Sequence, residues 1–165
     1  MKMIGFAGWS GSGKTTLIEQ VITLLEDRGL AVSLIKHAHH EFDIDHSGKD
    51  SWRHRHAGCR EVLITSVNRW AVMHELRGRD ELTLAEAVAQ LSPCDLVLVE
   101  GFKHEAIPKI EIYRPEIGKP QLFPNDAYIV AVASNLALET QLPQLDIDQP
   151  AEVATFILDW MKRTP

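Results

Sequence analysis

Residues 8–15 read G-W-S-G-S-G-K-T, and a second threonine, Thr16, follows directly. The stretch fills the pattern G-x-x-x-x-G-K-[ST] completely. Its flanks constrain the fold as much as the match does. Residues 1–7 (MKMIGFA) are a short apolar run ending at the loop, and behind it Leu17, Val21, Leu24 and Leu25 recur at helical spacing. Strand, glycine-rich loop and helix in that order are the setting in which the pattern acquires physical meaning. Glycines at 8, 11 and 13 let the backbone close into a nest whose N–H groups converge on one anion. The first turn of the helix adds unpaired N–H groups and the positive end of its dipole. Lys14 then places an ammonium where β- and γ-phosphates would lie, and the Thr15 hydroxyl is placed to ligate Mg²⁺. The expectation is a nucleoside triphosphate held by Gly11, Ser12, Gly13, Lys14, Thr15 and Thr16.

A length of 165 residues leads to the expectation of one domain, 1–165, with a full hydrophobic core. No apolar run is long enough to span a membrane, and the N-terminal apolar stretch leads into the loop instead of a cleavage site, so a cytoplasmic protein is expected. Cys59 and Cys94 form no C-x-x-C pair and read as free thiols. The formal charge of −6, from 23 acids against 17 bases, argues against general nucleic-acid affinity. The bases are unevenly placed, however. Lys49, Arg53, Arg55 and Arg60 fall close together, and six of the eight histidines lie between His37 and His56.

Further along, Leu30–Ile35 reads as a second buried strand, 38–50 as a polar loop and 51–57 as a short charged helix closed by Gly58. Residues 61–65 (EVLIT) and 70–74 (WAVMH) read as two strands joined by a turn, which breaks the alternation and suggests a projecting antiparallel hairpin, a natural dimer surface. Thr83 and Glu86 form a capping box opening a helix that Pro93 ends. Leu96–Val99 (LVLV) is a continuous apolar run, the sign of a strand covered on both faces. Lys109–Tyr113 alternates weakly, like a strand near an edge, and three prolines make 114–126 irregular. Tyr128–Ala133 (YIVAVA) is another buried strand, and Pro150 opens a last helix with an apolar stripe. Strands separated by helices predict an α/β fold of the P-loop NTPase type: a doubly wound, mainly parallel sheet with an extra antiparallel hairpin.

In such a sheet, ligands gather at the carboxyl ends of the strands. The run LVLV finishes in Glu100 and Gly101. Glu100 is the candidate to hold Mg²⁺ or the attacking water opposite Lys14 and Thr15, and Gly101 allows close backbone approach to the γ-phosphate. The second strand ends at His37, in a stretch whose Asp45 is a further candidate for the Mg²⁺ shell or for orienting water, with Asp43 second. Lys49, Arg53 and Arg55 are placed to meet anionic oxygens on the nucleotide or on a second phosphorylated ligand. Arg69, in the hairpin turn, is a candidate phosphate or base contact. Asn135, after Ala133-Ser134, is a candidate reader of a purine edge, although no N-K-x-D sequence decides between guanine and adenine.

With these stretches laid out, the chain resembles the molybdopterin-guanine dinucleotide biosynthesis adaptor proteins, the MobB family. The resemblance spans nearly all of the chain. It rests on G-W-S-G-S-G-K-T-T, on L-I-K-H-A-H-H-E-F-D-I-D-H-S-G-K-D-S, on L-V-L-V-E-G-F-K-H-E-A-I-P-K-I and on I-V-A-V-A-S. It implies a GTP-binding homodimer that assists the guanylyltransferase attaching GMP to molybdopterin, working with other cofactor-maturation proteins and hydrolysing GTP slowly. Carried over by position, Gly11–Thr16 hold phosphates, Thr15 and Glu100 serve Mg²⁺, and 37–50 complete the nucleotide pocket. Asn135 departs from the family pattern, which has aspartate there. Asparagine offers one acceptor and a donor where aspartate would accept twice from guanine, so guanine selectivity is less secure.

Two other readings compete. A small-molecule kinase would use the same loop but needs a mobile arginine-bearing lid, and 114–126 carries only Arg114. A GTP-dependent nickel-insertion chaperone is suggested by His37, His39, His40 and Asp45, whose spacing matches no standard zinc pattern.

Overall fold

The computed structural model describes residues 1–38 and 42–163. The chain forms two compact units, one made of Met1–His37 and Leu84–Pro165, the other of Ala38–Thr83.

The first unit is built on six strands: β1 (Lys2–Ala7), β2 (Val32–Lys36), β5 (Leu96–Glu100), β6 (Lys109–Tyr113), β7 (Ile129–Ser134) and β8 (Gln144–Asp146), lying in the order β2-β5-β1-β6-β7-β8. Every neighbouring pair is parallel. Three helices complete it: α1 (Lys14–Glu26), α3 (Leu84–Ala89) and α4 (Pro150–Arg163). Alternation along the strands divides the core in two. Ile4, Phe6, Leu96, Leu98, Ile110 and Ile112 pack with Leu17, Ile18, Val21 and Leu25 of α1 and Val153 and Ile157 of α4. On the opposite face Val97, Val99, Met3 and Ile35 pack with Leu84, Val88 and Leu91. The run LVLV is apolar without a break because each face of β5 has its own helical cover. Each fully buried Leu, Ile or Val contributes about 1.5–3 kcal/mol.

The doubly wound sheet with its separate antiparallel hairpin agrees with the fold class read from the sequence. Several details differ. β2 is an edge strand and half-exposed, not buried, with Leu34 open on one side. α3 stops at Ala89, four residues before Pro93. Gln90 and Leu91 bond back three residues to Ala87 and Val88, and Ser92, directly before proline, is steered away from helix. β8 was not foreseen; its three residues, one half-buried leucine between two exposed polar residues, are too short a run to read as a strand.

The largest difference is β6. Its two charges suggested an edge, yet it lies between β1 and β7 and Lys109, Ile110, Glu111 and Ile112 are buried. The charges survive burial because each is saturated. Lys109 Nζ donates to the carbonyls of Lys103 (2.9 Å) and Glu105 (2.8 Å) and pairs with Asp126 Oδ2 at 2.6 Å. Its stem crosses Gly5, where a Cβ would come within 2.7 Å of Lys109 Cγ, so the neighbouring strand must be bare at that point. Glu111 accepts from the amides of Leu122 (2.7 Å) and Phe123 (2.8 Å). Burial pushes its carboxyl up from the ordinary glutamate range, against the pull of those two amides. One strand interior thereby fixes the two loops that follow β5 and β6.

The second unit holds α2 (Asp50–His56) and the hairpin of β3 (Glu61–Thr65) and β4 (Trp70–His74), paired from Glu61↔His74 to Thr65↔Trp70. Ser66 N donates to Arg69 O to close the turn.

Glu111→Ala leaves the two half-buried amides of Leu122 and Phe123 without their acceptor, and an expected loss of about 2–4 kcal/mol follows. Urea denaturation measures it; a midpoint within error of the unaltered chain would show that the two amides find other partners.

Candidate nucleotide and metal site

The loop between β1 and α1 is shaped by what it cannot accommodate. Gly8 has φ +153°, and a Cβ there would come within 2.5 Å of the carbonyl oxygen of Ile112. Gly11 (φ +82°) and Gly13 (φ +89°) take left-handed conformations that suit glycine. Gly13 is the N-cap of α1 and no side chain caps it; no acid stands in the first turn either. The helix therefore presents its leading N–H groups and the positive end of its dipole uncompensated, the arrangement that attracts an anion.

Three side chains fit that reading. Ser12 is 1% exposed, yet its Oγ is buried with no hydrogen-bond partner, a polar atom directed into the cradle wall without a counterpart. Lys14 Nζ lies over the loop, donating to the carbonyls of Gly8 (2.9 Å) and Trp9 (2.8 Å). Burial pulls this ammonium below the ordinary lysine value; Glu100 opposes that, and Lys36 and Lys103 reinforce it. A phosphate beside it would reverse the balance by supplying negative charge. Thr15 Oγ1 donates to Glu100 Oε1 at 2.9 Å, across from the end of β5. A hydroxyl and a carboxylate so close form an all-oxygen pair of the kind Mg²⁺ prefers. Thr16 is exposed on the same turn.

Glu100 is 7% exposed and its second oxygen meets Lys36 Nζ at 3.2 Å. Gly101 (φ +90°) packs against His37 so closely that a Cβ would stand 2.9 Å from His37 Cβ. His37 is fixed at the end of β2 by donating its backbone N–H to Glu100 O (2.9 Å), and its ring lies 4.9 Å from Phe102. Asp95, at the opposite end of β5, accepts from Ala31 N and plays no part in the cradle. Trp9 donates its indole N–H to Pro120 O (2.7 Å), with Lys103 and Lys119 over its ring at 4.8 and 5.8 Å. Asn135 closes β7, its Nδ2 donating to Glu116 Oε1 at 2.7 Å.

Four residues near the loop were not singled out as site residues by the sequence: Lys36, Lys103, Arg114 and Glu116. Lys36 and Lys103 stood at strand ends where ligands gather, a signal that was present. Arg114 was weighed only as the arginine of a kinase lid, and Glu116 lies in the proline-rich stretch 114–126 read as irregular.

Asp45, Lys49 and Arg69 belong to the second unit. Asp45 accepts from Ser51 Oγ (2.8 Å) and from Arg55 Nε (3.3 Å). Arg55 is buried and also meets Asp43 (2.8 Å) and Glu75 (2.7 Å), so its guanidinium is enclosed by three carboxylates instead of facing a ligand. Lys49, next to α2, and Arg69, in the hairpin turn, are exposed. His39 and His40 lie outside the described residues. Among the described residues no group of three or more His, Cys, Asp or Glu is placed to hold a metal ion.

The profile of one family, "Molybdopterin guanine dinucleotide synthesis protein B", MobB, matches residues 3–135. The chain belongs to this family. It is 42% identical to the molybdopterin-guanine dinucleotide biosynthesis adapter protein of Escherichia coli over 98% of this chain and 94% of that one. It is 45% identical to the adapter protein of Haemophilus influenzae, over 96% and 89%. The crystal structure of Bacillus subtilis MobB shares the fold, with a TM-score of 0.77 at 24% identity over 99% of this chain and all of that one.

The Arg55 cluster carries a pH dependence of known sign. The hydrogen bond from Arg55 holds the Asp43 carboxyl below its ordinary value of 3.8. For Asp45, burial works upward but the bonds from Ser51, His46 N and Arg55 outweigh it, and its carboxyl is lowered as well. Both folded values lie below the unfolded one, so their stabilisation is complete above the unfolded value and disappears as pH falls through the folded ones. Hydrogen exchange, corrected for intrinsic rates, is expected to show amides of 42–58 losing protection below about pH 4. Protection unchanged down to about pH 2 would contradict the clamp.

Proposed function

We propose that the chain binds GTP with Mg²⁺ in the cradle of residues 8–16 and acts as an accessory protein of molybdopterin guanine dinucleotide biosynthesis, assisting attachment of GMP to molybdopterin. Its family membership places it in that biosynthesis. The observation that carries the ligand is the uncapped start of α1 behind three glycines, with Ser12 Oγ unpartnered and Lys14 resting on loop carbonyls. Backbone amides of Gly11–Thr15 and the Lys14 ammonium hold the β- and γ-phosphates. Thr15 and Glu100 hold Mg²⁺, which when bound neutralises phosphate charge. Asp45, in the second unit, has its oxygens engaged by Ser51 and Arg55. Gly101 and His37 set the backbone that closes on the γ-phosphate.

Hydrolysis is slow on this reading. Stretches 8–16, 36–50 and 100–108 contain no glutamine to orient water, and Arg114, the arginine beside the loop, is tied to Asp148 at 3.0 Å. Nucleotide occupancy then matters for shape, presented to the guanylyltransferase and other maturation proteins. A homodimer fits the second unit: Leu63, Trp70 and Val72 stand on one face of the hairpin, 61%, 65% and 46% exposed, an apolar patch suited to self-association. No helix among the described residues is long and apolar enough to cross a membrane, and the expected setting is the cytoplasm.

Calorimetric titration with GTP tests the reading. Lys14→Ala is expected to weaken binding on the order of tenfold or more, because the phosphates lose their nearest fixed cation. Glu100→Gln is expected to abolish the gain that Mg²⁺ gives while leaving metal-free binding nearly unchanged. Unaltered affinity in Lys14→Ala would contradict the cradle, and equal loss with and without Mg²⁺ in Glu100→Gln would make that acid structural.

A further inference from the structure

The cradle fixes where the remainder of a bound nucleotide runs. Thr15 and Glu100 mark the metal end, on the β5 side of β1. A nucleoside leaving on the other side crosses the carboxyl ends of β6 and β7. Strands are spaced about 4.8 Å apart, so the end of β7 lies roughly 10 Å from that of β1, within reach of a base whose phosphates occupy the loop.

Those strand ends form a continuous polar track. A Cβ on Gly13 would lie 3.6 Å from Arg114 Nε, so the guanidinium stem stands against the cradle. Arg114 Nη2 donates to Asp148 Oδ1 at 3.0 Å. Two residues on, Glu116 Oε1 accepts from Asn135 Nδ2 at 2.7 Å. That bond determines which way the amide points, because the flipped form would set two oxygens against each other. With the amide so oriented, Asn135 Oδ1 is a buried acceptor with no partner. The Glu116 carboxyl is held below the ordinary glutamate range by its own backbone N–H and by Asn135, so it is ionised and a pure acceptor at neutral pH.

We propose that Glu116, positioned by Asn135, is the residue that selects guanine. The proposal rests on the nucleotide reading given above. Guanine offers two donors side by side, N1–H and N2–H₂, and a carboxylate accepts both with its two oxygens. Adenine turns a lone pair at N1 toward the same place, where the carboxylate repels it. Hypoxanthine keeps N1–H and lacks the 2-amino group, so it isolates half of the contact. Asn135 acts through Glu116, whose carboxylate it holds with the 2.7 Å bond from Nδ2.

Calorimetric titration of the full chain with GTP, ITP and ATP in Mg²⁺ tests this. The unaltered chain is expected to prefer GTP to ITP by roughly tenfold and to ATP by more, the discrimination a bidentate contact gives. Glu116→Ala is expected to lower GTP affinity by on the order of tenfold or more and ITP affinity by less, so that the two become equal in the variant, while ATP changes by less than about threefold. Asn135→Ala is expected to reduce the GTP-to-ITP ratio in the same direction by a smaller factor. ATP binding serves as the internal check that each variant is folded and its cradle intact. A GTP-to-ITP ratio unchanged in Glu116→Ala, or equal loss for all three nucleotides, would overturn the assignment alone. Failure of the unaltered chain to bind any of the three would overturn the nucleotide reading beneath it.

Discussion

The site depends on a helix whose beginning is left open. α1 starts at Lys14 with no side chain closing its first N–H groups, and the loop before it contains glycine wherever a side chain would collide or strain. In most helices those donors are satisfied by a Ser, Thr, Asp or Asn at the N-cap. Here the cap is Gly13, which contributes nothing, so the positive end of the dipole stays available. The neighbouring cations Lys14, Lys36 and Lys103 raise the local potential further, and Glu100 is the acid that balances them. Three cations against one carboxylate leave a local excess of positive charge, which a bound polyphosphate would offset.

Around this cradle, rigidity comes from charges placed where the sheet is driest. Lys109 and Glu111 stand two residues apart on β6. Each is saturated by backbone groups of a flanking loop: Lys109 by carbonyls at 103 and 105, before β6, and Glu111 by amides at 122 and 123, after it. Both loops then converge on Trp9, Lys103 stacking on its ring and Pro120 accepting from its indole. The strand beside the glycine-rich loop thus fixes the segments flanking that loop. A buried charge leaves little freedom, because moving either loop would strand it without partners.

Much of this was legible in the chain. The glycine-rich loop between strand and helix, LVLV with its terminal Glu100, the hairpin and the last helix follow from period, capping and glycine placement. What escaped was physical in origin. β6 looked like an edge because it alternates weakly, with Lys109 and Glu111 at polar positions, and their partners, mostly backbone groups of flanking loops, leave no local pattern. The edge position of β2 was masked by its apolar composition. Arg55, grouped with Lys49 and Arg53 as a cation for a ligand, is surrounded by Asp43, Asp45 and Glu75; spacing shows that charges are near in sequence and says nothing of which ones face inward. Glu116 went unnoticed because its relation to Asn135 spans two strands.

The most direct measurement is a crystal structure of the chain grown with a non-hydrolysable GTP analogue and Mg²⁺. The account requires the triphosphate against the amides of Gly11–Thr15, Lys14 Nζ moved from the carbonyls of Gly8 and Trp9 onto phosphate oxygens, and the metal touching Thr15. An analogue bound elsewhere, or a Lys14 still hydrogen-bonded to its own loop with phosphates in place, would contradict it.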